Sequence, residues 1–473
     1  MKKIAKLLLL AMLISVFASA CGSTEPEVFD VDFVKNTEGI DLEGVTIKYM
    51  RTTSGQASYS DFDQVLGYEV NTILGDLAMQ RIHDVENDLN CKFEITYFSG
   101  DSPYTNFRLN NSIGEYYCDI FCGISDRFRD DMKSGALMGL SELEEYIDFR
   151  NEEKWGSRSI LEVLYWEDDV YGLIPMSWPT SSVSYTGLTI INEDLIESLN
   201  ATDPRDLYEN GQWTWETFRN CLEQYYIQEG SEVRQYAITA QYLGNFAENY
   251  ILSNGYRLAE KGPDGEYRSG LHDPRALTAM NEANDVLFGP LADTIEYDVD
   301  PAEYLINGTT VLGILHYAEY MTDRIVKEMP NFGLIPWPSG PDVDPGFIAT
   351  NHHNLERAIV LSRYSPNVEA TAIALNALYA SFEEYPDSNA VKDFLYHTFF
   401  FDRRDADIYY DLFLASQYSY FNSTPWNSLS AWIGNGQTPM EYIEANIDKA
   451  DAYIDEEIAP SKRGIEAVWG SAE

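Results

Sequence analysis

The chain has 473 residues, and at 45% hydrophobic and 14% aromatic it carries too much apolar material for a disordered polymer. Its 77 acidic against 32 basic residues give a formal charge of -45, which repels polyphosphate and anionic lipid and makes nucleic acid and acidic membrane surfaces poor partners. Acidity of this degree serves solubility and offers nothing to an anionic small molecule except beside a local arginine.

Met1, Lys2, Lys3 and Lys6 form a charged segment, Leu7 to Phe17 an apolar core, and Ala18-Ser19-Ala20 a small-residue cleavage site. The apolar run is too short to cross a membrane, so residues 1–20 are expected to be a signal peptide. Cys21 follows directly, with Gly22 after it, and the pattern resembles a bacterial lipobox. That resemblance implies a lipidated Cys21 at the mature amino terminus, anchored to the cell membrane on its extracytoplasmic face. The alternative is an ordinary secretory signal whose first mature residue is Cys21. Residues 21–40, with Ser, Thr, Pro and several acids, read as a flexible tether.

What remains, roughly 430 residues, exceeds the usual size of one hydrophobic core, so two lobes are expected. Cys91, Cys118, Cys122 and Cys221 show no metal-ligand spacing. On an extended strand Cys118 and Cys122 would stand about 13 Å apart, too far to bridge, so buried free thiols are expected. The histidines are scattered, and no metal or cofactor is expected.

From Val45 the pattern alternates. Val45 to Met50 reads as a strand; Ile73 to Asn90 as an amphipathic helix with Leu74, Leu77, Ile82, Val85 and Leu89 at helical spacing; Phe93 to Phe98 as a strand. Strands separated by helices imply βαβ units and a mainly parallel sheet. Arg51 to Asn71 is a long polar and aromatic connection, and loops of this length in compact domains are often functional. Asp119 to Ile124 is apolar or glycine at nearly every position, as in a strand covered on both faces. Ser125, Asp126 and Arg127 then stand at its carboxyl end, where open α/β sheets bind ligands. The competing reading is a capped turn, with Ser125 or Asp126 as the cap and Arg127 paired to a nearby acid.

The order Asp119-Ile120-Phe121, Asp126-Arg127-Phe128, Ser134-Gly135-x-Leu137 and Leu140 resembles the maltose-binding proteins, members of the extracellular solute-binding proteins, family one, of carbohydrate ABC transporters. The resemblance implies an α/β, two-lobed periplasmic-binding-protein-like fold of type II, with mixed, mainly parallel sheets flanked by helices and hinge crossings between lobes. It passes to Asp126 and Arg127 the hydrogen bonding of sugar hydroxyls. Maltose binders carry a tryptophan three residues before that Asp, where this chain has Gly123, so a stacking platform is missing.

Val170-Tyr171-Gly172-Leu173-Ile174-Pro175 resembles the family's approach to the hinge, with Val183 to Asn192 entering the second lobe. Met176 to Ser182 becomes a candidate cleft wall, where Trp178 either stacks on a ligand or packs the junction. Gln212-Trp213-Thr214-Trp215-Glu216 opens a helix with Thr214 as its cap. Tyr236 to Ala240 reads as a strand whose exit places Gln241 and Tyr242 among the ligand contacts by resemblance. Leu305 to Leu312 resembles the family's "F-x-x-G-x-x-A-M" lead into a strand, with His316, Tyr317 and Tyr320 past its end and Tyr317 as the stacking aromatic. Phe332 to Pro338 resembles the return strand through the hinge, and Arg357 to Ser362, Ser365-Pro366-Asn367 and the helix Val368 to Phe382 match elements that complete the first lobe. Trp426 and Trp432 fall where maltose binders place an aromatic on the sugar, and Thr438 to Glu457 is expected as a helix closing the second lobe.

The expected organisation is residues 41–178 with 340–420 in lobe 1 and 179–339 with 421–473 in lobe 2. The resemblance implies a monomeric carbohydrate-binding component of an ABC importer, binding an oligosaccharide without turnover and meeting the permease subunits. Two rivals stand beside it. A surface glycoside hydrolase would use paired acids such as Asp168-Asp169 or Glu383-Glu384. A binder of a peptide or polyamine on the same architecture would use the acidic charge.

Overall fold

The computed structural model describes residues 39–470 apart from 53–63, 180–184, 319–320, 322–323, 353–356, 419–432 and 434–435. Two sheets, of five and six strands, organise the chain. In chain order the strands are β1 (Val45–Thr52), β2 (Cys91–Phe98), β3 (Ile120–Ile124), β4 (Gly172–Leu173), β5 (Thr186–Asn192), β6 (Ile227–Glu229), β7 (Glu232–Ala240), β8 (Ile295–Tyr297), β9 (Thr310–Tyr317), β10 (Phe332–Ile335) and β11 (Arg357–Leu361).

The first sheet runs β2-β1-β3-β11-β4. β1 is parallel to β2, with Val45 opposite Cys91, and parallel to β3, with Tyr49 opposite Ile120. β11 arrives late in the chain and inserts antiparallel between β3 and β4, with Arg357 opposite Ile124. The second sheet runs β6-β7-β9-β5-β10, with β8 added beside β7. β7, β8 and β9 are mutually parallel in direction, while β5 is antiparallel to both β9 and β10, and β6 is antiparallel to β7. The result is the two-lobed α/β periplasmic-binding-protein-like architecture with mixed sheets flanked by helices.

Local sequence accounts for these elements. The first four positions of β3 and the first six of β9 are uninterrupted buried stretches, as strands covered on both faces must be. β2 alternates at its start because one side of this edge strand meets water. The Ile73–Asp88 helix buries Leu74, Ala78, Ile82 and Val85 along one stripe, and the Thr72 hydroxyl accepts from the Gly75 N–H to close its amino end. Thr214 caps the Trp215–Tyr225 helix in the same way.

Three expectations change in detail. The connection after β1 is not wholly irregular: Gln64–Val65 pairs with Tyr68–Glu69 as a small hairpin. Phe332–Ile335 is the edge strand of the second sheet, and a later ribbon pairs Thr350–His352 with Ser416–Tyr418. The Pro439–Tyr453 helix packs on the Pro274–Phe288 helix of the second lobe, but the chain continues into Ala459–Trp469, which packs on Tyr165–Trp166 and Asp169–Val170 of the first. Arg463 there pairs with Glu167 at 3.0 Å, and Glu466 takes Lys261 at 2.6 Å. Among the described residues no helix is long and apolar enough to cross a membrane.

Candidate functional site

Because β1, β2 and β3 are parallel, their carboxyl ends share one sheet edge. β3 ends at Ile124, and Ser125–Phe128 makes a single tight helical turn before the Arg129–Lys133 helix. Asp126 is half-buried there; desolvation pushes its carboxyl up from the ordinary range, opposed by the neighbouring Arg127 and its own N–H. Arg127 is exposed, pairs through Nη1 with Asp101 and stands 4.8 Å from the centre of the Tyr104 ring. Of the expected capped turn only the ion pair is present: neither this turn nor the helix after it has a side-chain cap bond, Ser125 Oγ is buried without a partner among the described residues, and Arg127 Nη1 is taken by Asp101.

Tyr104 was not legible as a site residue. Its hydroxyl accepts from the Ile124 N–H at 2.7 Å, and a Cβ built at residue 123 would lie 2.5 Å from its oxygen. An aromatic ring therefore covers the strand end beside Asp126, supplied by the Ser102–Ser112 helix, and Gly123 is the residue that admits it. At the end of β1, Arg51 is 7% exposed, donates from Nη1 to Cys122 Sγ at 3.1 Å and leaves Nε without a partner. Burial works against its charge, and Cys122, Tyr49, Tyr379 and Tyr97 outweigh it, so the guanidinium stays charged. The alternation Ile47, Tyr49, Arg51 was the signal that this arginine points inward.

In the second sheet β7 and β9 are parallel, so the residues leaving β7 meet the last residues of β9. His316 and Tyr317 belong to β9 itself rather than to the loop beyond it. The Gln241 side-chain oxygen accepts from the His316 N–H at 3.2 Å, and the Asn245 amide lies 3.0 Å from His316 Nδ1. Burial pushes the imidazole down to about 4, so it is neutral at pH 7. Tyr242, 50% exposed, meets the His316 ring edge-on at 4.9 Å, and the Tyr317 ring lies 3.9 Å from it, centre to centre. Gln241, Tyr242 and Tyr317 are therefore brought together, around a histidine. The first edge pairs hydrogen-bonding side chains with a half-buried ring and the second with the exposed Tyr242, an arrangement suited to a molecule with both hydroxyl groups and C–H faces.

No protein-family model matches the sequence, and no curated protein does. Solved structures do match. An ABC substrate-binding protein from Listeria monocytogenes in complex with cycloalternan superposes with a TM-score of 0.54 at 14% identity, over 87% of this chain and 99% of that one. The fold is that of the ABC solute-binding proteins. An extracellular solute-binding protein from Staphylococcus aureus in complex with maltose gives 0.59 at 11% identity, over 86% and 97% of the two chains. UgpB from Mycobacterium tuberculosis in complex with glycerophosphocholine gives 0.56 at 13%, over 87% and 99%.

Trp178 does not line an open wall. It is 2% exposed, with Phe382, Tyr379 and Tyr68 at ring-centre distances of 4.6, 4.9 and 6.0 Å, and its indole N–H donates to the Ala380 carbonyl at 3.0 Å. Of the two roles its position allowed, packing is the one it fills. Cys21, Trp426 and Trp432 lie outside the described residues. The Asp169 carboxylate is buried and accepts from the Ser141 and Val170 N–H groups at 3.1 and 2.7 Å, while Glu383 and Glu384 are exposed, so neither acid pair is arranged around a common point. A cavity of about 650 Å³ lies on the flank of the first lobe, lined by Arg81, Asp84, Lys154, Asn376 and Tyr410 among others; it takes Met176 and Ser177 from the expected cleft wall but none of the single residues expected to contact ligand. Among the described residues no three His, Cys, Asp or Glu side chains converge as metal ligands.

Proposed function

We propose that this protein is a lipid-anchored, extracytoplasmic solute-binding protein that captures a carbohydrate between its lobes and delivers it unchanged to an ABC importer. The observation that carries the reading is the pair of sheet edges, Asp126-Arg127 with Tyr104 on one lobe and Gln241-Tyr242-His316-Tyr317 on the other, each combining hydrogen-bonding groups with an aromatic face. Solved relatives in fold hold cycloalternan and maltose, which supports a saccharide as the class of ligand. Closing the lobes over such a molecule would remove water and strengthen each charged hydrogen bond, and binding would favour the closed state by the difference in those contacts. The membrane anchor rests on the lipobox pattern at Cys21.

Asp169 serves the fold and Glu383-Glu384 face solvent, which disfavours the hydrolase reading. A panel of maltose, maltotetraose, mannotriose and cycloalternan, followed by thermal shift with product analysis, tests the proposal. A raised melting temperature with intact sugar supports it; no shift with any member, or accumulation of cleaved sugar, overturns it.

A further inference from the structure

The helix Leu243–Ser253 begins at the second-lobe edge just described, with Tyr242 as its cap residue. Asn245, Phe246, Ala247 and every residue from Asn249 to Ser253 are buried, so nearly all of its circumference is covered. Beyond Leu243 at its first turn, only Gly244 and Glu248 remain partly open. These two are four residues apart and lie on one face, and Asn245, three residues before Glu248 on that same side, reaches His316 Nδ1 at 3.0 Å, so the open face adjoins the cluster at the end of β9. At about 1.5 Å of rise per residue, Glu248 stands roughly 9 Å along the axis from Tyr242, within the span of a small oligosaccharide.

The Glu248 carboxyl has no hydrogen bond or ion pair among the described residues. Burial alone acts on it and pushes it up to about 8. The elements packed on this helix explain why no charge intervenes. β5 has no ionisable side chain. On Pro274–Phe288, Glu282 and Asp285 are taken by Arg219 and Arg275 by Glu260 and Asp273. On β7, Glu232 and Arg234 pair together at 3.0 Å, and the phenol of Tyr236 is held up by burial and Glu296. β9 presents His316, neutral at pH 7, and Tyr317. The side chain of His352, on the Thr350–His352 strand, lies outside the described residues.

We propose that Glu248 is a ligand-contacting residue of the second-lobe wall, hydrogen-bonding the hydroxyls of an uncharged, hydroxyl-rich molecule whose ring face meets Tyr242. The inference rests on the carbohydrate-capture reading and deepens it: near pH 7 the carboxyl is a neutral donor and acceptor beside a neutral imidazole, so this wall selects against both cations and anions.

The test measures affinity by calorimetry for the tightest member of the saccharide panel, with spermidine and glucuronate as charged probes. Glu248→Ala weakens saccharide binding by about tenfold, a lost hydrogen bond of about 1.4 kcal/mol. Glu248→Gln, which keeps a donor and an acceptor, stays within about threefold of the parent. The parent loses affinity as pH rises through about 8, where Glu248 ionises, and Glu248→Gln does not. If the parent binds a saccharide and Glu248→Ala binds it equally well with the same pH profile, this inference alone is overturned. If the parent binds spermidine or glucuronate and no saccharide, or no probe at all, the functional reading fails and the inference with it.

Discussion

Replacing Trp178 by alanine separates a packing residue from a ligand-stacking one. The indole is enclosed by Tyr68, Tyr379 and Phe382 at 4.6 to 6.0 Å, so its removal leaves a void bounded by rings from two separate chain segments. Truncating a buried tryptophan of this kind costs about 3–5 kcal/mol. The hydrogen-bond part is smaller, because the Ala380 carbonyl also accepts from Arg81 Nη1 at 2.8 Å and keeps that partner when the indole is gone. Trp178→Phe therefore costs about 1–2 kcal/mol from the lost N–H bond and reduced contact. Urea unfolding followed by far-UV circular dichroism reads both values, and saccharide affinity of Trp178→Phe is expected within about threefold of the parent because the ring touches no ligand. A Trp178→Ala variant that loses under about 1 kcal/mol of stability yet abolishes saccharide binding refutes the reasoning.

Asp126→Ala and Arg127→Ala each weaken saccharide binding by about 1.5–3 kcal/mol through lost charged hydrogen bonds, read by calorimetry, whereas parental affinity in both would place the contacts elsewhere. Asp405 is buried, and desolvation raises its carboxyl to about 7 despite the Leu334 N–H bond at 2.7 Å. The folded state therefore holds this proton more tightly than the unfolded one, so its contribution to stability is present at low pH and is lost as pH rises from about 4 to about 7. Asp405→Asn flattens that part of the pH–stability curve, and an unchanged slope contradicts the assignment. Cys91, Cys118, Cys122 and Cys221 are all free and buried, with burial pushing the Cys91 thiol up to about 11. Native protein is expected to leave these thiols unmodified by a thiol reagent that reacts with all of them in denaturant; rapid labelling of the folded form contradicts this.

Elements whose pattern is local were readable from the chain alone. The Ile73–Asp88 helix and β3 announced themselves by the period of their apolar residues, and Asp126-Arg127 by standing where β3 ends. The surroundings of Trp178 were not, because Tyr379 and Phe382 are about two hundred positions away and only the fold brings them together. The same holds for Tyr104, whose placement depends on the glycine opposite it, and for Arg51, whose buried end meets a thiol from the adjacent strand. His316 looked like a neighbour of the stacking aromatic, and it became the centre of its cluster because two parallel strands end side by side. Glu248 gave no sequence signal at all: its meaning comes from the burial of most of the rest of its helix.

The measurement that bears most directly on the central claim is calorimetric titration of the purified protein with maltose, maltotetraose, mannotriose and cycloalternan, with the sugar recovered afterwards and its chain length determined. The account predicts saturable binding of at least one of them on the order of micromolar, as reversible capture requires, with the recovered molecule intact. Absence of binding across the panel, or recovery of shortened chains, contradicts it.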